Sequence, residues 1–183
     1  MEVLQKDLDG VVLLKPNVFK DERGYFFESF NSNEFKKKLN LDIDFIQDNE
    51  SLSKFGTLRG FHFQKLPHSQ SKLVRVTKGK VQDVVIDLRP NSKYFGKHKS
   101  YILSEENKHQ LFIPKEFAHA FLVLSESAIF SYKVDYPYMP NYDSGLIWDD
   151  PDINVKWELS RDTIASSSKD LILPNFKNYK KGD

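Results

Sequence analysis

Two side chains suited to acid–base and anion chemistry lie close together in residues 57–64, TLRGFHFQ. Arg59 is a permanent cation whose planar fork of donors fits phosphate. His62 has an ordinary pKa near ~6.5, so it can take or give a proton at neutral pH, and Gln64 can donate and accept hydrogen bonds. Because such groups lose hydration in a strand, they need partners. The pattern fits a reactive site, or a half-buried histidine bonded to backbone beside a surface arginine.

The aromatic and apolar residues of this stretch indicate a β-strand. Regular alternation would place Arg59 and His62 on opposite faces of that strand. They can serve one site only if the strand is irregular between them. Gly60 is a natural position for a bulge.

Three further side chains are candidates for proton chemistry. Alternation along residues 128–134 places Tyr132 on an apolar face, as a proton donor with an ordinary pKa near ~10 or as a phenol of the core. Lys72 begins a strand and is either a cation for a developing oxyanion or an edge lysine. Asp170 could orient His62, although the sequence does not show that they meet.

His119 lies between Phe117 and Phe121 on one face of its predicted strand. It could be a core histidine, a phosphate donor or a metal ligand. The sequence has no cysteine, and its 5 histidines are scattered without ligand spacing. We therefore predict that the site contains no metal.

The composition excludes several classes of protein. A length of 183 residues suits one domain, residues 1–183, with a sizeable core. The net charge of +1 gives no basic footprint for nucleic acid, and no apolar run is long enough to span a membrane. Residues 1–9 contain no apolar signal region, so we expect a cytoplasmic protein. The 15 phenylalanines and 8 tyrosines can form a core or line a pocket for a flat ring.

Short alternating segments separated by turn residues predict an all-β fold, an antiparallel sandwich or barrel with little helix. Residues 72–77 and 81–88, joined at Lys78-Gly79, form the clearest predicted hairpin. One short helix is expected at residues 34–39, capped by Ser32 or Asn33. The other predicted strands are residues 25–30, 44–49, 57–64, 101–103, 110–113, 118–124 and 128–134, and residues 10–14 form a short apolar run before Pro16.

The order of these motifs along the chain is more specific than any one of them. The series is DERGYFFE (21–28), QDN (47–49) with Ser51 and Ser53, LRGFHFQ (58–64), KLVRV (72–76), IP (113–114) with FAH (117–119), and YK (132–133). From about Phe19 to Asp170 this series closely resembles the dTDP-4-dehydrorhamnose 3,5-epimerases, and the Arg-Gly-x-His strand is its most specific part.

The resemblance implies a cupin-like jelly-roll homodimer that needs no metal or cofactor and acts on a dTDP-4-keto-6-deoxyhexose. It makes His62 the base, Asp170 its orienting partner, Tyr132 the proton donor on the opposite face and Lys72 the cation near the C4 oxygen. The implied substrate contacts are Phe19, Arg23, Phe26, Glu28, Gln47, Asn49, Arg59, His119, Tyr138 (stacked on the thymine), Asp143 and Lys169.

The segment 23–28 motivates the homodimer prediction independently. Its rings and charges exceed what a plain edge strand needs, and members of the resembled family exchange N-terminal strands. The alternative for Arg23 and Glu28 is a surface ion pair of little energetic value.

The sequence departs from the family pattern at a few positions. These are Ala120 for a glycine after the second histidine, Lys115-Glu116 where a glycine is common, Asp143 for a glutamate, and Phe61 and Phe63 for leucine and tyrosine. None of them removes a catalytic role. The alternatives are an epimerase that inverts only C3 or only C5, a metal-dependent cupin, and a non-catalytic carbohydrate-binding jelly roll.

Overall fold

The computed structural model describes residues 1–179, so residues 180–183, the end of the predicted single domain, lie outside the described residues. The strands of the described part are β1 (Glu2–Asp7), β2 (Val11–Lys15), β3 (Phe19–Asp21), β4 (Gly24–Phe26), β5 (Gln47–Lys54), β6 (Leu58–Gln64), β7 (Lys72–Lys78), β8 (Lys80–Asp87), β9 (His98–Ser104), β10 (Gln110–Ile113), β11 (Phe117–Val123), β12 (Ser127–Val134) and β13 (Asp143–Gly145). They are accompanied by one α-helix, α1 (Ser32–Leu39), and by single-turn 3₁₀ helices at Pro140–Tyr142, Arg161–Thr163, Asp170–Ile172 and Phe176–Asn178.

Two antiparallel sheets face each other across the main core. One sheet has the order β1-β2-β10-β7-β12-β5 and the other β13-β6-β11-β8-β9. Side chains from the inner faces of both sheets form one core cluster, which includes Val74, Val85, Phe121 and Phe130. Burying such side chains is worth about 1.5–3 kcal/mol each. The predicted all-β fold, an antiparallel jelly-roll barrel, is confirmed.

The predicted hairpin of residues 72–77 and 81–88 is wrong in its pairing. β7 pairs with β10 and β12, whereas β8 pairs with β11 and β9 in the other sheet. The turn itself is real, because Gly79 has a φ of 79° and a Cβ there would lie 2.1 Å from the oxygen of Ser127. The turn carries the chain from one sheet to the other. A glycine between two strand-like segments is expected both in such a crossing and in a hairpin, so the sequence does not distinguish them.

The predicted strand over residues 25–30 is too long. β4 ends at Phe26 because it pairs only with the three residues of β3. The chain then turns inward, and Phe30 packs against Phe35 and Phe45, with ring centroids 5.8 and 5.5 Å away. Those rings join a satellite core under the six-stranded sheet.

The one predicted helix is confirmed, but its start is two residues earlier. α1 is capped by Asn31, whose side-chain oxygen accepts a hydrogen bond from the Glu34 N–H at 3.2 Å. Ser32 and Asn33 lie inside the helix. The helix ends at Leu39, and its C-cap residue Asn40 has the left-handed conformation, which Asn tolerates.

The strand predicted at residues 44–49 is displaced toward the C-terminus. β5 covers Gln47–Lys54 because each of its residues pairs with one residue of β12, from Gln47 opposite Val134 to Lys54 opposite Ser127. No helix within residues 1–179 has the length and apolarity needed to cross a membrane.

Candidate active site

A cavity of about 740 Å³ opens between the two sheets. This volume is within the range of roughly 300–1,000 Å³ that small-molecule sites occupy. Most of the residues predicted for the site line it, namely Asn49, Arg59, His62, Lys72, His119, Tyr132, Tyr138, Asp143, Lys169 and Asp170.

An irregularity at Gly60 brings Arg59 and His62 to this one cavity. On β11, His119 lies opposite His62 and Phe121 lies opposite Arg59, so two steps on β11 match three on β6. Gly60 has a φ of 115°, and a Cβ there would lie 2.5 Å from the oxygen of His119. Only glycine fits this conformation and this close approach. The expected break in alternation is therefore confirmed.

His62 and Asp170 meet although they are far apart in sequence. His62 Nε2 lies 3.0 Å from Asp170 Oδ1, and the carboxylate is almost fully buried. Burial lowers the pKa of His62, while the charge of Asp170 opposes that effect. The imidazole is thus neutral near pH 7, as a base must be, and the carboxylate stabilises the cation formed when it takes a proton.

Lys72 lies beside His62 in the cavity lining. Its Nζ donates to the backbone oxygen of His62 at 3.4 Å. Burial lowers the pKa of Lys72 to about 8, and the charges of Asp83 and Asp143 oppose the shift. The amine is therefore mostly protonated at neutral pH, which suits a group that stabilises negative charge on an oxygen.

Tyr132 enters the cavity from the sheet opposite to the one that carries His62. On β12 it lies between Asn49 of β5 and Val74 of β7. Burial raises its pKa, an effect that the cation of Arg59 opposes. The phenol consequently stays protonated at neutral pH and is available as an acid.

A second histidine–carboxylate pair lies at the cavity wall, where His119 is part of the lining and its partner Asp83 lies behind it. His119 Nε2 is 2.9 Å from Asp83 Oδ2, and Asp83 is completely buried on β8. The sequence analysis missed Asp83. Its signal was a carboxylate within the largely apolar run of residues 81–88, because a buried charge is rarely placed without a partner.

Neighbouring side chains hold the polar residues of β5 and β6. Arg59 Nε donates to the hydroxyl of buried Ser53 at 3.0 Å. Gln47 is not part of the cavity lining, but its Nε2 donates to Asn49 Oδ1 at 2.9 Å. Gln47 thus acts on the cavity through the orientation of Asn49.

At the cavity mouth, Asp143 joins two segments. Its Oδ2 accepts from the Tyr138 hydroxyl at 3.2 Å and from Lys169 Nζ at 2.7 Å. The pKa of Lys169 is raised by this hydrogen bond. The loop that carries Tyr138 is in this way tied to the segment that carries Asp170.

Besides Gln47, four predicted substrate contacts lie outside this chain's cavity. Phe19 and Phe26 face each other across the β3–β4 hairpin and are 65% and 70% exposed. Arg23 pairs with Asp21 at 2.6 Å. Glu28 Oε2 accepts from Asn31 Nδ2 at 3.1 Å. Within residues 1–179 of one chain these four residues do not line the cavity. Their predicted contacts with substrate therefore require another surface, such as the cavity of a second copy.

Within residues 1–179, no group of three or more histidine, aspartate or glutamate side chains is arranged to hold a metal ion. The arrangement instead offers a neutral imidazole, a buried ammonium and a protonated phenol around one space. These are the parts needed to remove a proton beside a carbonyl and to return one from the other side.

Comparison with known proteins gives the same result over nearly the whole chain. Residues 5–178 match the family model of dTDP-4-dehydrorhamnose 3,5-epimerase. The dTDP-4-dehydrorhamnose 3,5-epimerase of Methanothermobacter thermautotrophicus is 48% identical over 168 residues, 91% of this chain and 90% of that protein.

Two crystal structures are similar in fold. The dTDP-4-dehydrorhamnose 3,5-epimerase of Elizabethkingia anophelis superposes with a TM-score of 0.93 at 43% identity, covering 97% of both chains. The dTDP-6-deoxy-D-glucose-3,5-epimerase of Legionella pneumophila, in complex with dTDP-4-keto-L-rhamnose, gives 0.94 at 37% identity and covers 98% of this chain and 94% of that one. The chain therefore belongs to the dTDP-4-dehydrorhamnose 3,5-epimerase family.

Proposed function

We propose that this chain inverts C3 and C5 of dTDP-4-dehydro-6-deoxy-D-glucose to give dTDP-4-dehydro-L-rhamnose, a step of dTDP-L-rhamnose biosynthesis. The observation that carries the proposal is the placement of a neutral His62 and a protonated Tyr132 on facing walls of one cavity. Family membership supplies the substrate class, and the geometry supplies the division of roles.

The first half of each inversion is removal of a proton. The C4 ketone acidifies the protons at C3 and C5, so the C–H bond can break with its electrons moving to the C4 oxygen. His62 takes the proton and becomes a cation that Asp170 stabilises at 3.0 Å. Lys72 stabilises the enolate oxygen, because a buried cation acts strongly on charge that develops nearby.

The second half returns a proton to the opposite face of the same carbon. Tyr132 gives up its hydroxyl proton there, and the enolate electrons form the new C–H bond. The resulting phenolate is stabilised by the cation of Arg59, whose charge favours the ionised phenol. Exchange with water then removes the proton from His62 and restores that of Tyr132, so the cycle needs no cofactor.

The nucleotide half of the substrate requires donors and a stacking surface. Arg59, held by Ser53, supplies a fork of donors for the diphosphate. Tyr138 at the cavity mouth is 53% exposed and supplies the ring face for the thymine. Asn49, His119 and Lys169 supply further polar contacts around the sugar and diphosphate.

A homodimer is part of this proposal. The β3–β4 hairpin is a two-stranded sheet separate from both main sheets, and such a hairpin alone is marginally stable. β5, which lines the cavity, is an edge strand that pairs only with β12 within residues 1–179 and so leaves one side open for another strand. A hairpin from a second copy lying along β5 would cover both surfaces and carry Phe19, Arg23, Phe26 and Glu28 to the substrate. We also propose a cytoplasmic location, where nucleotide sugars are made.

The test is to incubate the enzyme with dTDP-4-keto-6-deoxyglucose in deuterated water and follow the products by NMR. Deuterium at both C3 and C5, with both centres inverted, is expected. Deuterium at only one carbon would identify an epimerase of a single centre. Equal rates with and without EDTA are expected, and loss that a divalent ion restores would contradict the predicted independence from metal.

A further inference from the structure

We propose that Gln64 is a positioning residue that holds the nucleotide-binding loop, defined here as residues 136–142. The inference rests on the proposed role of Tyr138 in that loop. One amide fixes the backbone on both sides of Tyr138. Gln64 Nε2 donates to the oxygen of Pro137 at 3.3 Å, and Gln64 Oε1 accepts from the N–H of Met139 at 2.6 Å.

The same amide reaches a second loop. Gln64 Nε2 also donates to the oxygen of His68 at 2.7 Å. His68 in turn contacts the nucleotide-binding loop, because its Nδ1 is 3.0 Å from the Tyr136 hydroxyl and its ring lies edge-on to Tyr142 at 4.0 Å. Gln64 is thus the point where both loops at the cavity mouth are joined to β6.

The environment explains why this position requires an amide. Gln64 is only 4% exposed, so its three partners have little access to water as a substitute. Two of those partners are acceptors and one is a donor, and only an amide offers a donor and an acceptor together at this length. Leucine would leave all three unsatisfied. Glutamate would keep the oxygen that accepts from the Met139 N–H. Its second oxygen would replace the donating Nε2 and would face the backbone oxygens of Pro137 and His68, which are also acceptors.

The consequence is specific to binding. Tyr138 is 53% exposed and its side chain is held by one hydrogen bond, from its hydroxyl to Asp143, so the pose of its ring also depends on the backbone that Gln64 fixes. The reacting groups His62 and Tyr132 are anchored in β6 and β12, not in the loop. Loss of the amide should therefore raise KM and the Kd for dTDP far more than it lowers kcat.

The experiment compares Gln64→Leu and Gln64→Glu with Gln82→Leu as a matched control. Gln82 is equally buried, and its amide also holds a backbone segment, through Lys156 and Glu158 at 2.8 Å each, but it is not part of the cavity lining. Calorimetric titration with dTDP should show a Kd about 10-fold higher for both Gln64 variants, equivalent to roughly 1.4 kcal/mol. Gln82→Leu should lower the melting temperature without changing that Kd.

A double-mutant cycle with Tyr138→Ala separates positioning from general destabilisation. If Gln64 acts through Tyr138, then Gln64→Leu should weaken dTDP binding in the wild type and add little in the Tyr138→Ala background. Additive effects, or an unchanged Kd in Gln64→Leu, would overturn the proposal. If Tyr138→Ala alone leaves the Kd unchanged, the fault lies with the proposed stacking role of Tyr138, and the inference about Gln64 falls with it.

Discussion

The cavity and the β3–β4 hairpin contain similar residue types in opposite environments. In the cavity, rings and charges are buried and paired, as in the contact of His62 with Asp170 at 3.0 Å. On the hairpin, Phe19 and Phe26 are mostly exposed, and the side chain of Arg23 is 85% exposed. Burial in the first region shifts pKa values, whereas the second region leaves apolar surface uncovered.

This difference separates the chemistry from part of the binding. The proposed base His62, acid Tyr132 and cation Lys72 all lie within one chain, on strands that belong to its own two sheets. The hairpin has no such support, and exposed apolar side chains that are grouped together commonly mark an interface. We therefore expect changes at His62, Tyr132 and Lys72 to act mainly on kcat, and changes in the hairpin to act on KM and on assembly.

The largest expected effect is that of removing the base. His62→Asn should lower both proton exchange and epimerisation by about 10²–10⁴-fold, because it removes the proposed base and a general base typically contributes a factor of this size. Deuterium wash-in at C3 and C5 measures the effect. Exchange at C5 as fast as in the wild type would show that another group takes the proton.

Tyr132→Phe should separate exchange from inversion. The variant keeps the ring packed beside Phe130, at 6.2 Å between centroids, and loses only the hydroxyl, so the fold should survive. His62 can still remove protons, and deuterium should still enter the substrate. Return of the proton from the opposite face should fall by about 10²–10³-fold, within the usual range for a general acid.

The readout for Tyr132→Phe is product configuration scored beside deuterium content. Deuterated substrate of unchanged configuration is the expected main product. Epimerisation at the wild-type rate would mean that the acid is a different group. An unchanged thermal transition would show that the loss is not caused by unfolding.

The pH dependence of kcat/KM should reflect the burial of the cavity. In the proposed mechanism His62 acts as the neutral base, and burial lowers its pKa, so activity should fall only below pH 6.5 on the acid side. In the same mechanism Lys72 acts as the cation, and its pKa is about 8, so activity should fall as the pH rises through that value. Lys72→Met should remove the alkaline limb and lower kcat. A wild-type profile that stays flat to pH 10 would contradict the role of Lys72.

The sequence predicted the fold class because many short apolar and alternating segments separated by turn residues are typical of an antiparallel sandwich or barrel. It could not predict which sheet each strand joins. The pairing of β7 and β8 was wrong because Gly79 turns the chain in either arrangement. The length of β4 was wrong for a related reason, since its end is set by the three residues of β3 that pair with it.

The site could be predicted where a residue was chemically out of place. Arg59 and His62 interrupt an aromatic strand, and Gly60 between them indicated the irregularity that places both side chains in one cavity. Asp83 was missed because its partner, His119, lies on another strand, 36 positions away. The role of Gln64 was likewise hidden, since its partners belong to two loops whose positions depend on tertiary structure.

The smallest expected effect is that of the hairpin, and it is the one that tests the contrast between the two regions. Phe26→Ala removes a ring that is 70% exposed, so one chain should lose little folding stability. If the hairpin of one copy covers the cavity of another, the same change should raise KM by about 10-fold and leave kcat within a factor of two or so.

The matched control for Phe26→Ala is Ile102→Ala. Ile102 is 37% exposed on β9, the edge strand at the far end of the other sheet, and it is not part of the cavity lining. Its replacement should change neither KM nor the oligomeric state. Sedimentation of the wild type at micromolar concentration should give a dimer mass, and Phe26→Ala should shift the distribution toward monomer. A monomeric wild type with full activity would mean that the hairpin residues do not contact the substrate, because one chain holds them outside its own cavity.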